Sequence, residues 1–111
     1  MQISEFDNTY ITGRANDDLY EIWAFISSDS GYFADKTIDE LVAKIAMLGR
    51  NPDVGTRRDD LMIGLRLFPY NSYNIYYVHL EHGVEIMRVL HAARDAFQIF
   101  NDAIDMPDPK I

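Results

Sequence analysis

The sequence contains no cysteine, which excludes disulfides, thiolate nucleophiles and cysteine-ligated zinc. It also has no apolar stretch near the roughly 20 residues that a membrane span requires. The first ten residues lack the basic region and the apolar run of a secretory signal. We therefore expect a cytoplasmic protein with no membrane partner.

Basic residues are scarce. Ten lysines and arginines stand against 18 acidic residues, so the net charge is −8. The bases cluster centrally, because residues 50–94 carry six bases and five acids, whereas residues 1–49 carry nine acids and three bases. Nucleic-acid binding normally draws on an excess of positive charge. No direct nucleic-acid binding is expected, and a nucleic-acid role would require a local arginine patch.

What is present is a chain able to build one core. Its 111 residues are 48% apolar and 13% aromatic, which suits a single compact domain and argues against disorder. The prediction is one domain over residues 1–111. Its acidic, proline-containing end, residues 105–111, is predicted to be a flexible tail.

The first half predicts a strand and two helices. The β-branched and aromatic run Asn8–Gly13 predicts a strand, and apolar residues at helical spacing predict helices at about 15–28 and 32–48. Gly49 is placed to end the second helix as its C-cap. An alternative start at Ile38 is offered by the capping box that begins at Thr37, although the earlier start is preferred.

The second half predicts three strands and a short helix. The strands are Met62–Pro69, Tyr73–Glu81 and Val84–His91, and His82-Gly83 is the two-residue connection of a hairpin. Helical spacing from Ala92 onward predicts the final helix. The order β-α-α-β-β-β-α predicts an α+β fold in which a helical hairpin packs on a mostly antiparallel sheet.

Alternation assigns the side chains of the last two strands to faces. One face carries Tyr73, Ile75, Tyr77 and His79 of the first strand, and Val84, Ile86, Arg88 and Leu90 share a face of the second. Neither face is purely polar, so we expect one to lie under the helices and the other to line a shallow surface.

Few residue patterns suggest chemistry. The sequence has no phosphate-binding glycine loop and no nucleophile elbow. Histidines and glutamates crowd the hairpin turn, but they lack the spacing of a good chelate, so we interpret them as solvated and expect no metal and no cofactor. These turn residues are His79, Glu81, His82 and Glu85.

Arg66, Arg88, His91 and Arg94 form the most informative set, because neighbouring strands could bring them together. Arginine can stabilise a pentavalent phosphorane and histidine can transfer a proton, as RNA cleavage requires. The alternative is structural: these arginines are ion-paired with acidic residues and cover aromatic surface. The pattern alone favours the structural alternative.

Most of the chain resembles the ParE family of toxins. The resemblance is carried by Asp17-Asp18-Leu19, Ile22-Trp23, Phe25-Ile26, Asn51-Pro52, Gly55, Asp60-Leu61, Gly64-Leu65-Arg66, Phe68-Pro69, Tyr73 to Tyr77, Val84 to His91 and Ala93-Arg94-Asp95. Its specific part runs from Gly55 to Asp95, where G-L-R-x-F-P, Y-x-I-Y-Y and R-V-L-H-x-x-R-D follow one another in order.

This resemblance implies a toxin of a type II toxin–antitoxin pair in the RelE/ParE superfamily. It implies a protein inhibitor of DNA gyrase without catalysis of its own, neutralised by a ParD-like antitoxin in a hetero-oligomeric complex. We expect partner contacts from six residues of the sheet surface. They are Arg66, Tyr73, Tyr77, Arg88, His91 and Arg94.

Two alternatives stay open. RelE-like relatives cut mRNA in the ribosome, and an endoribonuclease of that kind would use Arg66, Arg88 and His91 as catalytic residues. A non-toxic binding member of the fold is the other alternative. The nuclease is less favoured because no lysine lies between Lys44 and Lys110 and because the net charge is −8.

Overall fold

A computed structural model of the chain describes residues 2–3 and 8–105, with the side chains of residues 8–102. The elements are β1 (Gln2–Ile3), β2 (Thr9–Ile11), α1 (Gly13–Ser27), α2 (Gly31–Arg50), β3 (Thr56–Arg57), β4 (Leu65–Tyr70), β5 (Tyr73–Leu80), β6 (Gly83–His91) and α3 (Ala96–Asp105). The predicted α+β class and element order are confirmed, with the two-residue strands β1 and β3 in addition.

All the strands belong to one sheet, in the order β1-β2-β6-β5-β4-β3. Every neighbouring pair is antiparallel except β2 and β6, which are parallel. Helices α1 and α2 pack against each other and against β6, so the helical hairpin covers one face of a mostly antiparallel sheet, as predicted.

Both hairpin helices begin slightly earlier than predicted because a hydroxyl side chain caps each of them. Thr12 accepts a hydrogen bond from the N–H of Ala15, and Ser30 accepts one from Phe33. The start of α2 at Gly31 confirms the earlier of the two predicted starts.

The predicted end of α2 is wrong. Gly49 lies inside the helix, which continues to Arg50. Asn51 caps it instead, because its side-chain amide donates to the carbonyl of Met47 at 3.1 Å. A polar side chain that satisfies a final carbonyl removes the need for a glycine at the C-cap.

The β5–β6 turn lies one residue earlier than predicted. Glu81 and His82 form the connection, and Gly83 already pairs with Leu80 in the ladder. The glycine is still required, because its φ is +144° and a Cβ there would collide with the backbone carbonyl of Asn8.

A bulge in β6 overturns the predicted assignment of its faces. Tyr76 pairs with Arg88 while Tyr77 pairs with Ile86, so Met87 is an extra residue. The alternation shifts there, and Val89 rather than Leu90 joins Ile86 under the helices. Periodicity alone could not reveal this inserted residue.

The sheet has a hydrophobic cluster on each face. The larger one joins the helical hairpin to β5 and β6 and includes Leu19, Leu41, Ile45, Ile75 and Tyr77. The smaller one lies beneath α3 and includes Leu61, Leu65, Tyr76, Leu90 and Phe100. The second face is therefore partly covered by the C-terminal helix rather than left as an open shallow surface.

The last described element, α3, ends at Asp105. The rest of the predicted flexible tail, residues 106–111, lies outside the described residues. None of the helices in the described part of the chain is long and apolar enough to cross a membrane.

Candidate functional site

A buried ion pair joins α1 to β6. The guanidinium of Arg88 donates from Nε and Nη2 to the two carboxylate oxygens of Asp18, at 2.8 and 2.9 Å. Asp18 also accepts from the backbone N–H of Val89 at 2.9 Å. The Asp18 and Arg88 side chains are only 6% and 14% exposed, so this pair holds the helix against the strand.

The guanidinium donors of Arg88 that a substrate phosphate would need are already bonded to Asp18. These hydrogen bonds raise the pKa of Arg88 above the usual arginine value, although burial of the guanidinium lowers it. A bidentate guanidinium in this geometry is already neutralised by a carboxylate. Arg88 is thus committed to the fold, which matches the structural alternative for this residue.

Arg66 is committed in a different place. Its guanidinium donates to the carbonyl of Gly55 at 2.8 Å and to that of Asp53 at 3.2 Å, and it lies 3.5 Å from the Asp53 carboxylate. The imidazole Nδ1 of His79 contacts the same carboxylate at 3.0 Å. Both side chains therefore hold the loop between α2 and β3 against the sheet.

Tyr77 belongs to the core and not to the surface. It is completely buried, and its hydroxyl donates to the carbonyl of Pro52 at 2.7 Å and accepts from the N–H of Gly55 at 2.9 Å. Burial raises its pKa above the usual tyrosine value. The expectation that Tyr77 offers an exposed aromatic anchor is corrected, because the loop that it binds covers it.

The two arginines that follow this loop are also paired. Arg57 contacts Asp59, and Arg58 contacts Asp60, each at 2.9 Å. These hydrogen bonds lower the pKa values of Asp59 and Asp60 and raise those of both arginines. All the arginines from residue 57 to residue 88 therefore have an aspartate partner.

Three of the predicted partner-binding residues do come together. Tyr73, His91 and Arg94 line a groove of about 290 Å³ beside α1, where β5 begins and β6 ends. The rings of Tyr73 and His91 meet edge to face at 5.5 Å. We call this the sheet-end groove; its other lining residues are Asp18, Glu21, Ile22, Phe25, Val89 and Leu90.

His91 and Arg94 are exposed to solvent in this groove, unlike Arg66 and Arg88 of the strands. His91 Nδ1 accepts from the N–H of Ala93 at 3.0 Å, so the neutral ring carries its proton on Nε2. Among the side chains that the structure describes, none pairs with the guanidinium of Arg94. The groove thus combines aromatic surface with one available cation.

The candidate catalytic residues do not form one site. Arg66 pairs across the sheet with Tyr77, and His91 pairs with Tyr73. Those partners are four residues apart on β5, which is about 13 Å along a strand. Arg88 turns to Asp18 on α1 instead of bridging this distance.

The hairpin-turn residues do not form a chelate either. His79 faces Asp53 rather than the turn, and His82 and Glu81 are exposed, with Nε2 of His82 4.0 Å from a Glu81 carboxylate oxygen. Within the described part of the chain, no group of three histidine or carboxylate side chains converges in the manner of metal ligands.

Two features of the site were missed by the sequence analysis. Asp18 was interpreted as a helix-start charge, and nothing in the local pattern links it to Arg88, 70 positions away. Phe25 is 80% exposed and reaches the sheet-end groove. The sequence did indicate that Phe25 is exposed, because this residue lies outside the apolar stripe of the first helix.

Comparison with known proteins gives a consistent result. Residues 10–96 match the family model described as "ParE toxin of type II toxin-antitoxin system, parDE". The chain is 32% identical over 89 residues to "Toxin ParE1" of Caulobacter vibrioides (strain ATCC 19089 / CIP 103742 / CB 15), covering 78% of this chain and 90% of that protein.

A solved structure has the same fold. It is titled "Chromosomal ParDE TA system from P. aeruginosa", and it matches with a TM-score of 0.67 and 19% sequence identity. The match covers 79% of this chain and 98% of the other. At this identity the likeness establishes the fold.

Proposed function

The chain belongs to the ParE family of toxins of type II toxin–antitoxin systems, and from that premise we propose that it inhibits DNA gyrase and that a ParD-like antitoxin neutralises it by binding. In this proposal the toxin acts by docking on a protein and performs no catalysis of its own.

One observation carries the choice of a docking protein over a nuclease. RNA cleavage would depend on Arg66 and Arg88, but Arg66 is held by the backbone carbonyls of Asp53 and Gly55, and Arg88 is held by Asp18. A scissile phosphate needs preorganised positive charge that is free to meet it. In the described part of the chain, the arginines of the strands offer no such cationic pocket.

The sheet-end groove is the surface that we propose contacts gyrase. Arg94 supplies an available guanidinium, while Tyr73 and Phe25 supply aromatic surface. Aromatic residues and arginine are the types that dominate the energetics of protein interfaces. Removal of the Arg94 side chain should therefore weaken docking without disturbing the core.

The antitoxin is proposed to cover the toxin as part of a hetero-oligomer. A segment that wraps a folded toxin would be disordered alone and would order on binding. Production of the chain alone should arrest growth, and co-production with the antitoxin encoded beside it should restore growth. Normal growth on strong production of the chain alone would argue against an active toxin.

The test is a supercoiling assay with purified gyrase and purified chain. We expect the wild-type chain to inhibit supercoiling and Arg94→Ala to require at least ten times more protein for half inhibition. Arg50→Ala is the matched control, because Arg50 is an exposed arginine at the far end of α2. It should inhibit like the wild type.

The assay is run beside transcript cleavage on translating ribosomes, which separates the alternatives. Inhibition of gyrase without cleavage supports the proposal. Cleavage that is lost in Arg66→Ala and Arg88→Ala, with gyrase unaffected, would establish the endoribonuclease instead. A folded chain that does neither would point to a non-toxic binding member.

A further inference from the structure

A cavity of about 290 Å³ lies between α3, the start of α1 and β6, and it shares no lining residue with the sheet-end groove. We call it the α3 cavity. Its lining combines two arginines with four apolar side chains, namely Arg14, Arg88, Met62, Met87, Ile99 and Phe100. Ligand pockets in proteins run from roughly 300 to 1,000 Å³, so the size of this cavity suits a small organic molecule.

The buried wall of the α3 cavity is apolar. Phe100 is only 5% exposed, and its ring meets the ring of Tyr76 edge to face at 5.2 Å. Met62, Met87 and Ile99 are partly buried against the same hydrophobic cluster. Methionine side chains adapt their shape to their neighbours and make favourable contacts with aromatic rings. The cavity therefore offers an aromatic guest one fixed ring and two adaptable side chains.

The bulge of β6 helps to form this cavity. Met87 is the inserted residue, and its carbonyl accepts a hydrogen bond from the hydroxyl of Thr12 at 3.2 Å. Because Thr12 also caps α1, this contact ties the start of the helix to the bulge. Arg14 lies in the first turn of the same helix and so beside the cavity. Bulges are frequent next to functional sites, where they redirect a side chain.

The charge of the cavity lining is opposite to that of the chain. No carboxylate is found among the described residues that line it, although the chain has a net charge of −8. The sheet-end groove, by contrast, includes Asp18 and Glu21, and the depression at the β5–β6 turn includes Glu81 and Glu85. A cavity lined by one sign of charge concentrates ligands of the opposite sign. The α3 cavity therefore favours an anion.

The two arginines of the lining differ in their availability. Arg88 donates from Nε and Nη2 to Asp18, and its side chain is only 14% exposed. Arg14 is exposed, and none of the side chains that the structure describes pairs with its guanidinium. A guanidinium can bind a carboxylate through two parallel hydrogen bonds. Arg14 is therefore the group that an acidic ligand would meet.

We propose that the α3 cavity binds a small aromatic carboxylate. The ring of the ligand packs against Phe100, Met62 and Met87, and its carboxylate pairs with the guanidinium of Arg14. This orientation follows the burial of the lining, because the apolar wall is the buried end and Arg14 is the exposed end. A second copy of the chain is disfavoured as the occupant, since two chains of net charge −8 repel one another.

The site goes beyond the proposed function. Binding of the ligand is measured on the chain alone, without gyrase and without an antitoxin. Loss of gyrase inhibition would therefore leave the ligand site standing, and failure of the ligand test would leave the gyrase proposal standing.

The test uses the full chain and two probes of matched shape, indoleacetate and its neutral amide, indoleacetamide. Both probes carry the same ring system, and only indoleacetate is an anion at neutral pH. Isothermal titration calorimetry gives the two affinities. Nuclear magnetic resonance of isotope-labelled methionine methyl groups gives the position of the probe, because Met62 and Met87 line the cavity whereas Met47 packs against the other hydrophobic cluster.

We expect indoleacetate to bind about ten times more tightly than indoleacetamide, because only the anion forms charge-assisted hydrogen bonds. It should shift the methyl signals of Met62 and Met87 and leave that of Met47 in place. The preference should shrink at high salt, which screens exposed charges.

Arg14→Gln should weaken the binding of indoleacetate by about tenfold and leave that of indoleacetamide unchanged, because the variant loses only the charge-assisted pair. Arg50→Gln is the matched control, since it removes an exposed arginine at the far end of α2, and it should bind both probes like the wild type. Circular dichroism confirms that each variant is folded.

The proposal is overturned if neither probe binds, or if the two probes bind equally well. An equal loss of affinity in Arg14→Gln and Arg50→Gln would mean that only the overall charge matters. Binding that leaves the Met62 and Met87 signals in place would put the ligand elsewhere. Shifts of these two signals with chain concentration alone, together with a dimer by light scattering, would identify a second copy as the occupant.

Discussion

The strands and the helical hairpin use their charges in opposite ways. On the strands and their loops, Arg57, Arg58, Arg66 and Arg88 lie within 3.5 Å of an aspartate oxygen. On the hairpin, aromatic rings are exposed, and Asp17 and Asp39 form no ion pair with any residue that the structure describes. The comparison indicates that the strand arginines maintain the fold, whereas the helical hairpin and the sheet-end groove present exposed groups that the fold does not use.

The largest effect is expected at the buried ion pair. Asp18→Asn leaves the charge of Arg88 buried without its partner, which should lower the free energy of unfolding by about 3 kcal/mol. The adjacent Asp17→Asn removes an exposed carboxylate and should change it by less than about 0.5 kcal/mol. Urea unfolding measures both. Similar values for the two variants would contradict the assignment of Asp18 as structural.

A smaller effect is expected where Tyr77 holds the loop after α2. Tyr77→Phe removes the hydroxyl that bonds Gly55 and Pro52 and leaves buried polar groups unsatisfied. The free energy of unfolding should fall by about 1.5 kcal/mol. Tyr32→Phe, which changes an exposed side chain of α2, should have almost no effect on urea unfolding. An unchanged free energy of unfolding in Tyr77→Phe would mean that the loop does not depend on this hydroxyl.

The exposed aromatic side chains of the helical hairpin should contribute little to the free energy of unfolding. Tyr20→Ser changes a side chain that is 69% exposed, so the free energy of unfolding should move by less than about 0.5 kcal/mol. A large loss of stability on thermal unfolding would place Tyr20 in the core and remove the distinction between the two regions.

The smallest effect concerns pH. The pKa values of Asp59 and Asp60 are lowered from 3.8 in the folded chain, chiefly by hydrogen bonds from Arg57 and Arg58. Their stabilisation is therefore present above pH 3.8 and is lost as pH falls below it toward the folded values. Both pairs are exposed, so screening by solvent keeps the effect small.

The corresponding variant is Asp59→Asn/Asp60→Asn. Its melting temperature should fall less steeply below pH 4 than that of the wild type, because the variant no longer has these carboxylates to protonate. At neutral pH the variant should melt at a slightly lower temperature than the wild type, and this difference should disappear as the pH falls below about 4. If the melting temperatures of the two proteins changed with pH in the same way over the whole range, these ion pairs would contribute nothing to the pH dependence of stability.

Much of the fold could be predicted from local patterns. The apolar periodicity of α1 and α2 and the alternation of β5 located these elements to within a few residues. The bulge at Met87 escaped prediction because an inserted residue has no signature in the alternation. The two-residue strand β3 escaped because Thr56 and Arg57 gain their strand character only by pairing with β4.

The site was predicted less completely, for a physical reason. Residue type identified Arg66 and Arg88 as important, but their partners are 13 and 70 positions away, and only tertiary structure brings such residues together. The pairing of β5 with β6 in their hairpin brings Tyr73 and His91 together, with Arg94 just beyond the strand, and their role in binding a partner stays a prediction. Tyr77 was misplaced because the loop that covers it carries no recognisable pattern.

The most direct test of this account is the growth of cells that produce Arg66→Met, which keeps an apolar side chain but removes the guanidinium. Arg94→Ala, produced to the same level, is its comparison. If the strand arginines serve only the fold, soluble and folded Arg66→Met arrests growth as the wild type does, while Arg94→Ala is strongly impaired. If folded Arg66→Met left growth unaffected, the account would be contradicted, because Arg66 would then take part directly in the action of the toxin.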